Sequence, residues 1–134
     1  MQKNLEGINV LLVDDSHEYL INLSKALAKN GAKVFTLVDG GEVLPSLQGG
    51  TKIDAVVLDV MMPGKDGYAV CAELKADEQL AKIPVILLTA VADHISSTRY
   101  SHQSGASTEA DDYIPKDGDA ADNLVVSIKR LTKK

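Results

Sequence analysis

The chain has 134 residues, the length of one globular domain, and 45% of them are hydrophobic, a globular rather than a disordered composition. Fourteen Lys and Arg against 19 Asp and Glu give a formal charge of −5, which weighs against gripping nucleic acid by charge. The lone cysteine, Cys71, excludes an internal disulfide, the longest apolar run, Ile83–Val91, is too short to span a bilayer, and the opening MQKNLEGINV lacks a secretion signal's apolar core, so a soluble cytoplasmic domain is expected.

Ile8–Val13 reads as a strand that passes directly into Asp14, Asp15 and Ser16. Ser16–Asn30 reads as a helix, because Leu20, Leu23 and Leu27 recur three and four apart and Gly31 suits the position just past its end. Lys33–Leu37 is a short, more polar edge strand. Gly41–Leu47 predicts a helix kept short or bent by Pro45 and ended by Gly49-Gly50. Ile53–Val60 is the next strand and carries Asp59 near its end. Gly67–Lys75 is a helix opened by Asp66. Pro84–Thr89 is a strand, the polar segment Asp93–Ser104 a helix, and Asp112–Ile114 a short edge strand that leads into Pro115 and Lys116. Asp119–Lys134 closes the chain as a helix striped by Leu124, Val125, Ile128 and Leu131, with Asp119 as its cap and Lys129, Arg130, Lys133 and Lys134 toward its C-terminus.

The first, third and fourth strands scarcely alternate between apolar and polar residues, as expected of strands covered on both faces of a parallel sheet. Strands alternating with helices predict a doubly wound α/β fold with right-handed crossovers. In such folds the site lies beyond the carboxyl ends of the strands. There the sequence places Asp14 and Asp15, Asp59, Thr89 and Lys116. Carboxylates gathered so closely repel each other by about 4 kcal/mol per pair at ~4 Å and an effective dielectric near ~20. Lys116 offsets part of that. Oxygen donors without His or Cys favour Mg²⁺ for the rest, and Mg²⁺ commonly binds phosphates beside one or two carboxylates. Such a pocket repels itself when empty, so Asp14→Ala or Asp59→Ala is expected to stabilise the metal-free chain.

The strings VLLVDDS, VVLDVMMPGKDGY, VILLTA and DDYIPK, in that order and each at a strand end, resemble the receiver domain of two-component response regulators. The resemblance runs from Ile8 to Leu131 and implies one receiver domain over residues 1–134, with a core of about 8–131. It implies a flavodoxin-like five-stranded parallel sheet of strand order 2-1-3-4-5. It also implies that Asp59 accepts a phosphoryl group from a sensor histidine kinase or a histidine phosphotransfer protein. Asp14, Asp15, Asp59 and the backbone carbonyl of Met61 would hold Mg²⁺. Lys116 and the Thr89 hydroxyl would engage phosphoryl oxygens, with the small Ala90 leaving room. Tyr113, moving with Thr89, would carry the signal to the surface of the last two helices. No direct nucleic-acid or membrane contact is implied, a monomer is expected, and with no output module in the chain it would act by docking or within a larger regulator.

Three features depart from the family pattern. Lys116 is followed by Asp117 and preceded by Pro115, whereas the family usually has proline after the lysine. Ser107–Ala110 reads as a four-residue insertion ahead of Asp111-Asp112-Tyr113. The residues two beyond Asp59 and Thr89, Met61 and Val91, are apolar and offer nothing to orient water, which predicts a long-lived phosphoryl group. Met61 and Met62 otherwise read as loop packing. His17, His94 and His102 read as surface residues and Cys71 as buried and inert. The alternatives at this level are a haloacid dehalogenase-type phosphohydrolase, which would need an Asp where Met61 stands, a flavin or nucleotide module, which would need a glycine-rich loop after the first strand, and a degenerate receiver used only for docking.

Overall fold

A computed structural model describes residues 4–62, 65–90 and 110–132. In chain order the elements are β1 (Asn9–Val13), α1 (His17–Lys29), β2 (Lys33–Leu37), a 3₁₀ turn (Gly40–Glu42), α2 (Val43–Gln48), β3 (Ala55–Asp59), α3 (Gly67–Ala76), β4 (Val85–Thr89), β5 (Asp112–Pro115) and α4 (Ala120–Thr132). The sheet is parallel throughout, in the order β2-β1-β3-β4-β5. The fold class and strand order expected from the sequence are therefore the observed ones. The expected helix Asp93–Ser104, residues 107–109 of the apparent insertion, Val91, His94 and His102 lie outside the described residues. Among the described residues no helix is long and apolar enough to cross a membrane.

The near-absence of alternation in β1, β3 and β4 follows from burial on both faces. Val10, Leu12, Val57, Ile86 and Leu88 point to one side, where Leu20, Leu23 and Leu27 of α1 and Leu124 and Ile128 of α4 cover them. Leu11, Val13, Val56, Leu58 and Leu87 point to the other, against Val43 and Leu47 of α2 and Val70, Cys71 and Leu74 of α3. Each such side chain contributes about 1.5–3 kcal/mol by leaving water. Burial also pushes the Cys71 thiol up to about 11, in keeping with an inert core cysteine.

The helix ends follow their local chemistry. Ser16 caps α1 by accepting the Tyr19 amide, and Gly31 takes φ +98° just past Asn30, a conformation that side chains with a Cβ avoid. Asp66 caps α3 through the Ala69 amide. Two expectations shift. The segment read as one helix over Gly41–Leu47 is a 3₁₀ turn followed by α2, with Pro45 in the first turn, where its missing amide leaves no bond unmade. β3 begins at Ala55; the preceding Asp54 bonds Asn9 twice, its amide to the Asn9 carbonyl and its carboxylate to the Asn9 amide. At the entrance to α4, Asp119 stands directly before Ala120, where the sequence places the cap, and gives its carbonyl to the Asn123 amide, while Asp117 accepts the Asp119 amide at 2.9 Å.

The register aligns the carboxyl ends. Val13 pairs with both Leu37 and Leu58, Asp59 with Leu88, and Thr89 with Pro115. Gly67, the first residue of α3, packs directly behind that edge, and a Cβ there would sit 2.5 Å from the carbonyl oxygen of Asp59. Gly67→Ala must push α3 away from the end of β3 and should cost about 1–3 kcal/mol, read as a lowered midpoint in chemical denaturation. An unchanged midpoint would contradict this close packing.

Candidate functional site

Where β1 ends, the chain turns sharply into α1. The Asp14 amide donates to the Leu37 carbonyl at 3.1 Å, and its Oδ1 accepts the Ser16 amide at 2.9 Å. These bonds hold the Asp14 side chain wholly buried (0% exposed) and aimed along the sheet edge. Asp59, the last residue of β3, is also buried at 3% exposed and accepts the Met61 amide on Oδ1 at 3.3 Å. Asp15 is exposed, yet one oxygen from each of Asp14, Asp15 and Asp59 falls within 4.8 Å of the others.

Lys116 reaches this cluster from the far edge of the sheet. Its Nζ lies 2.7 Å from Asp14 Oδ2 and 3.0 Å from Asp59 Oδ1. The replacement of proline by Asp117 after it does not redirect the side chain, because the Lys116 amide donates to the Thr89 carbonyl at 2.7 Å and so continues the ladder beyond Pro115. Pro115 itself is tolerated because β5 is an edge strand of the described sheet. Thr89 ends β4 almost completely buried.

The electrostatics follow from this crowding. Burial, seconded by the Asp14 charge, raises the Asp59 pKa above the usual carboxylate value, and the Lys116 hydrogen bond and the Met61 amide pull it back only in part. For Lys116, burial alone would favour the neutral amine. The hydrogen bonds and charges of Asp14 and Asp59 outweigh it and hold the ammonium above its ordinary pKa. With every group ionised, three carboxylates face one ammonium, 3 − 1 = 2 negative charges in excess. The donor set is all oxygen, with one exposed member open to solvent. This fits a hard divalent cation that keeps part of its water.

The other residues singled out from the sequence take clear places. Tyr113 is half-buried on β5 against the α2–α3 side of the core. Met61 is not packed in its loop: its side chain is 67% exposed, whereas Met62 is buried. Ala90 and His17 are exposed. One neighbour of the cluster has no signal in the sequence. Tyr19 of α1 places its ring 4.6 Å from Lys116 Nζ, measured to the ring centroid. Burial raises the Tyr19 pKa, as do the charges of Asp14, Asp59 and Asp117, against the opposing pull of Lys116. Beside Leu20 and Leu23 on the helix pattern it looks like another core residue.

Comparison with known proteins fits this geometry. The family model described as the response regulator receiver domain matches residues 10–129. The transcriptional regulatory protein TcrA of Mycobacterium tuberculosis is 36% identical over 133 residues, covering 97% of this chain and 48% of its own length. The chain thus spans about half the length of the curated relatives it matches. The signal receiver domain of a signal transduction histidine kinase from Syntrophus aciditrophicus superposes with a TM-score of 0.80 at 33% identity, over 94% of this chain and 90% of that one. The receiver domain of a sensor histidine kinase from Pseudomonas aeruginosa, solved with a magnesium ion coordinated in the active site cleft, superposes with a TM-score of 0.78 at 25% identity, over 96% and 99% of the two chains.

The structure separates two substitutions that the sequence treats alike. Asp14→Ala leaves the Ser16 amide without its acceptor and takes from Lys116 the nearer of its two carboxylates, so it should destabilise the metal-free protein. Asp59 binds its proton more readily folded than unfolded, so its ionisation costs stability as pH rises from 3.8 through the raised value. Metal-free Asp59→Asn should therefore melt a few degrees above wild type at neutral pH, the scale of about 1 kcal/mol, and the gap should close as pH falls through that window. A gap of opposite sign, or one independent of pH, would contradict the assignment.

Proposed function

Since the chain belongs to the response regulator receiver family, we propose that it is the phosphoryl-accepting switch of a two-component system and that Asp59 is the acceptor. The observation that carries this reading is the Lys116 ammonium, bridged between Asp14 Oδ2 and Asp59 Oδ1 while Asp15 completes an acidic cluster around the same point. A surface lysine near a helix cap would have no reason to be drawn across the sheet edge to two buried carboxylates.

Response regulators take phosphate from histidine kinases, and the donor here is a phosphohistidine on a kinase or phosphotransfer protein. A carboxylate oxygen of Asp59 attacks phosphorus. The new P–O bond forms as the P–N bond breaks, and the imidazole leaves with the bonding pair and takes up a proton. Lys116 sits where it can follow charge from the Asp59 carboxylate onto a phosphoryl oxygen, and the carboxylates of Asp14 and Asp59 favour its ammonium form in the resting pocket. The Thr89 hydroxyl, at the neighbouring strand end, would hydrogen-bond a second phosphoryl oxygen. Asp14, Asp15, Asp59 and the Met61 carbonyl would hold Mg²⁺, which supplies positive charge to offset the incoming phosphoryl oxygens. Tyr113, half-buried on the last strand, is proposed to change packing as Thr89 engages the phosphoryl group, a local charge change read by a bistable element. The whole chain is taken as one receiver unit, acting as a monomer in the cytoplasm.

Incubation with acetyl phosphate and Mg²⁺, followed by intact mass measurement, should show one phosphoryl group gained, and Asp59→Ala should gain none. Turnover of added phosphate esters, or equal labelling of Asp59→Ala, would contradict the reading. The phosphoryl group should persist for minutes or longer in the presence of Mg²⁺, because the exposed thioether of Met61 and the apolar Val91 offer no polar atom to align water. Loss within seconds would overturn that second expectation.

A further inference from the structure

We propose that Tyr19 is a positioning residue for phosphoryl capture, the face of its ring holding the Lys116 ammonium over the acidic pocket. The proposal rests on the receiver reading above and adds to it a residue that lies outside the four strand-end motifs.

Three observations carry it. The Lys116 Nζ stands 4.6 Å from the Tyr19 ring centroid, within the range where the negative face of an aromatic ring attracts a cation. The ring is itself fixed: Ser16 accepts the Tyr19 amide at 3.3 Å at the start of α1, and the side chain packs against the core formed with α4. The phenol oxygen is buried with no hydrogen-bond partner among the described residues. The contact therefore belongs to the ring and not to the hydroxyl.

The chemistry gives the ring a distinct role. A lysine ammonium is a point charge on a flexible four-carbon stem, and its direction is set by what surrounds it. Two of the three groups around Lys116 are carboxylates whose charge changes during the proposed cycle. Asp59 would become an acyl phosphate, and Asp14 would come to share its charge with a cation. The ring is uncharged and takes no part in the exchange of bonds. It is the partner able to keep Nζ over the pocket when the bond to Asp59 is exchanged for one to a phosphoryl oxygen, and it shields that side of the ammonium from water.

The test compares wild type, Tyr19→Phe and Tyr19→Leu. Phosphorylation rates are measured by intact mass across acetyl phosphate concentrations with Mg²⁺, and folding of each protein is checked by thermal melting. Tyr19→Leu should lower the rate at saturating acetyl phosphate by about 3–10-fold, the effect expected of one partly desolvated cation–π contact. Tyr19→Phe should return it to within about twofold of wild type and melt no lower. A purely structural role would track melting temperature and give no such rescue. Equal rates for wild type and Tyr19→Leu overturn the proposal, as does a Tyr19→Phe rate as low as that of Tyr19→Leu in a folded protein. A wild type that takes no phosphoryl group sinks the receiver reading instead. In that case, or if Tyr19→Leu does not fold, the side-chain NMR shifts of Lys116 in wild type decide for Tyr19. Ring-current displacement of its terminal methylene, retained in Tyr19→Phe, supports the proposal, and random-coil values overturn it.

Discussion

A single ammonium group, drawn between two carboxylates that have almost no contact with water, organises the carboxyl edge of this sheet. Burying Asp14 and Asp59 next to each other is unfavourable by itself, since each charge loses its hydration and gains a like-charged neighbour. Lys116 lies close enough to both to offset much of that cost, at 2.7 and 3.0 Å. Its position depends in turn on backbone geometry, because β5 must pair with β4 far enough along for the Lys116 amide to reach the Thr89 carbonyl. The site is thus a property of strand register. A slip of one residue between β4 and β5 would turn the lysine to the other face and leave the two carboxylates uncompensated.

The compensation is incomplete: with all groups ionised, two negative charges remain in excess, and the Asp59 pKa is raised as a result of burial and the Asp14 charge together. A fully neutralised pocket would be a stable structural feature with little use for a ligand. An under-neutralised one, with Asp15 open to solvent, suits the small hard cation and the phosphoryl group of the proposed function. The same imbalance that weakens the empty fold makes the pocket responsive.

Much of this is legible in the sequence, for a definite reason. β1, β3 and β4 are buried on both faces, so their Val, Ile and Leu runs lack alternation, and the polar residue that ends each run is conspicuous: Asp14, Asp59 and Thr89. The caps at Ser16 and Asp66 follow from local side-chain-to-amide geometry and are equally visible. What escapes depends on contacts between distant residues or on competition between nearby ones. The Asp117 carboxylate that receives the Asp119 amide ahead of α4 has no motif to announce it. Tyr19 lies on a helix face whose spacing announces core packing, and nothing near it in sequence points to a lysine after the last strand.

The proposed function makes the acidic cluster a cation site that all three carboxylates share. Titration of the metal-free protein with Mg²⁺, followed by calorimetry or by amide NMR shifts, measures this most directly. Wild type should bind one ion per chain, with shifts centred on residues following β1 and β3, and Asp15→Asn and Asp59→Asn should each weaken binding about tenfold or more. Binding of equal strength in wild type and both variants, or shifts centred away from that edge, would contradict it.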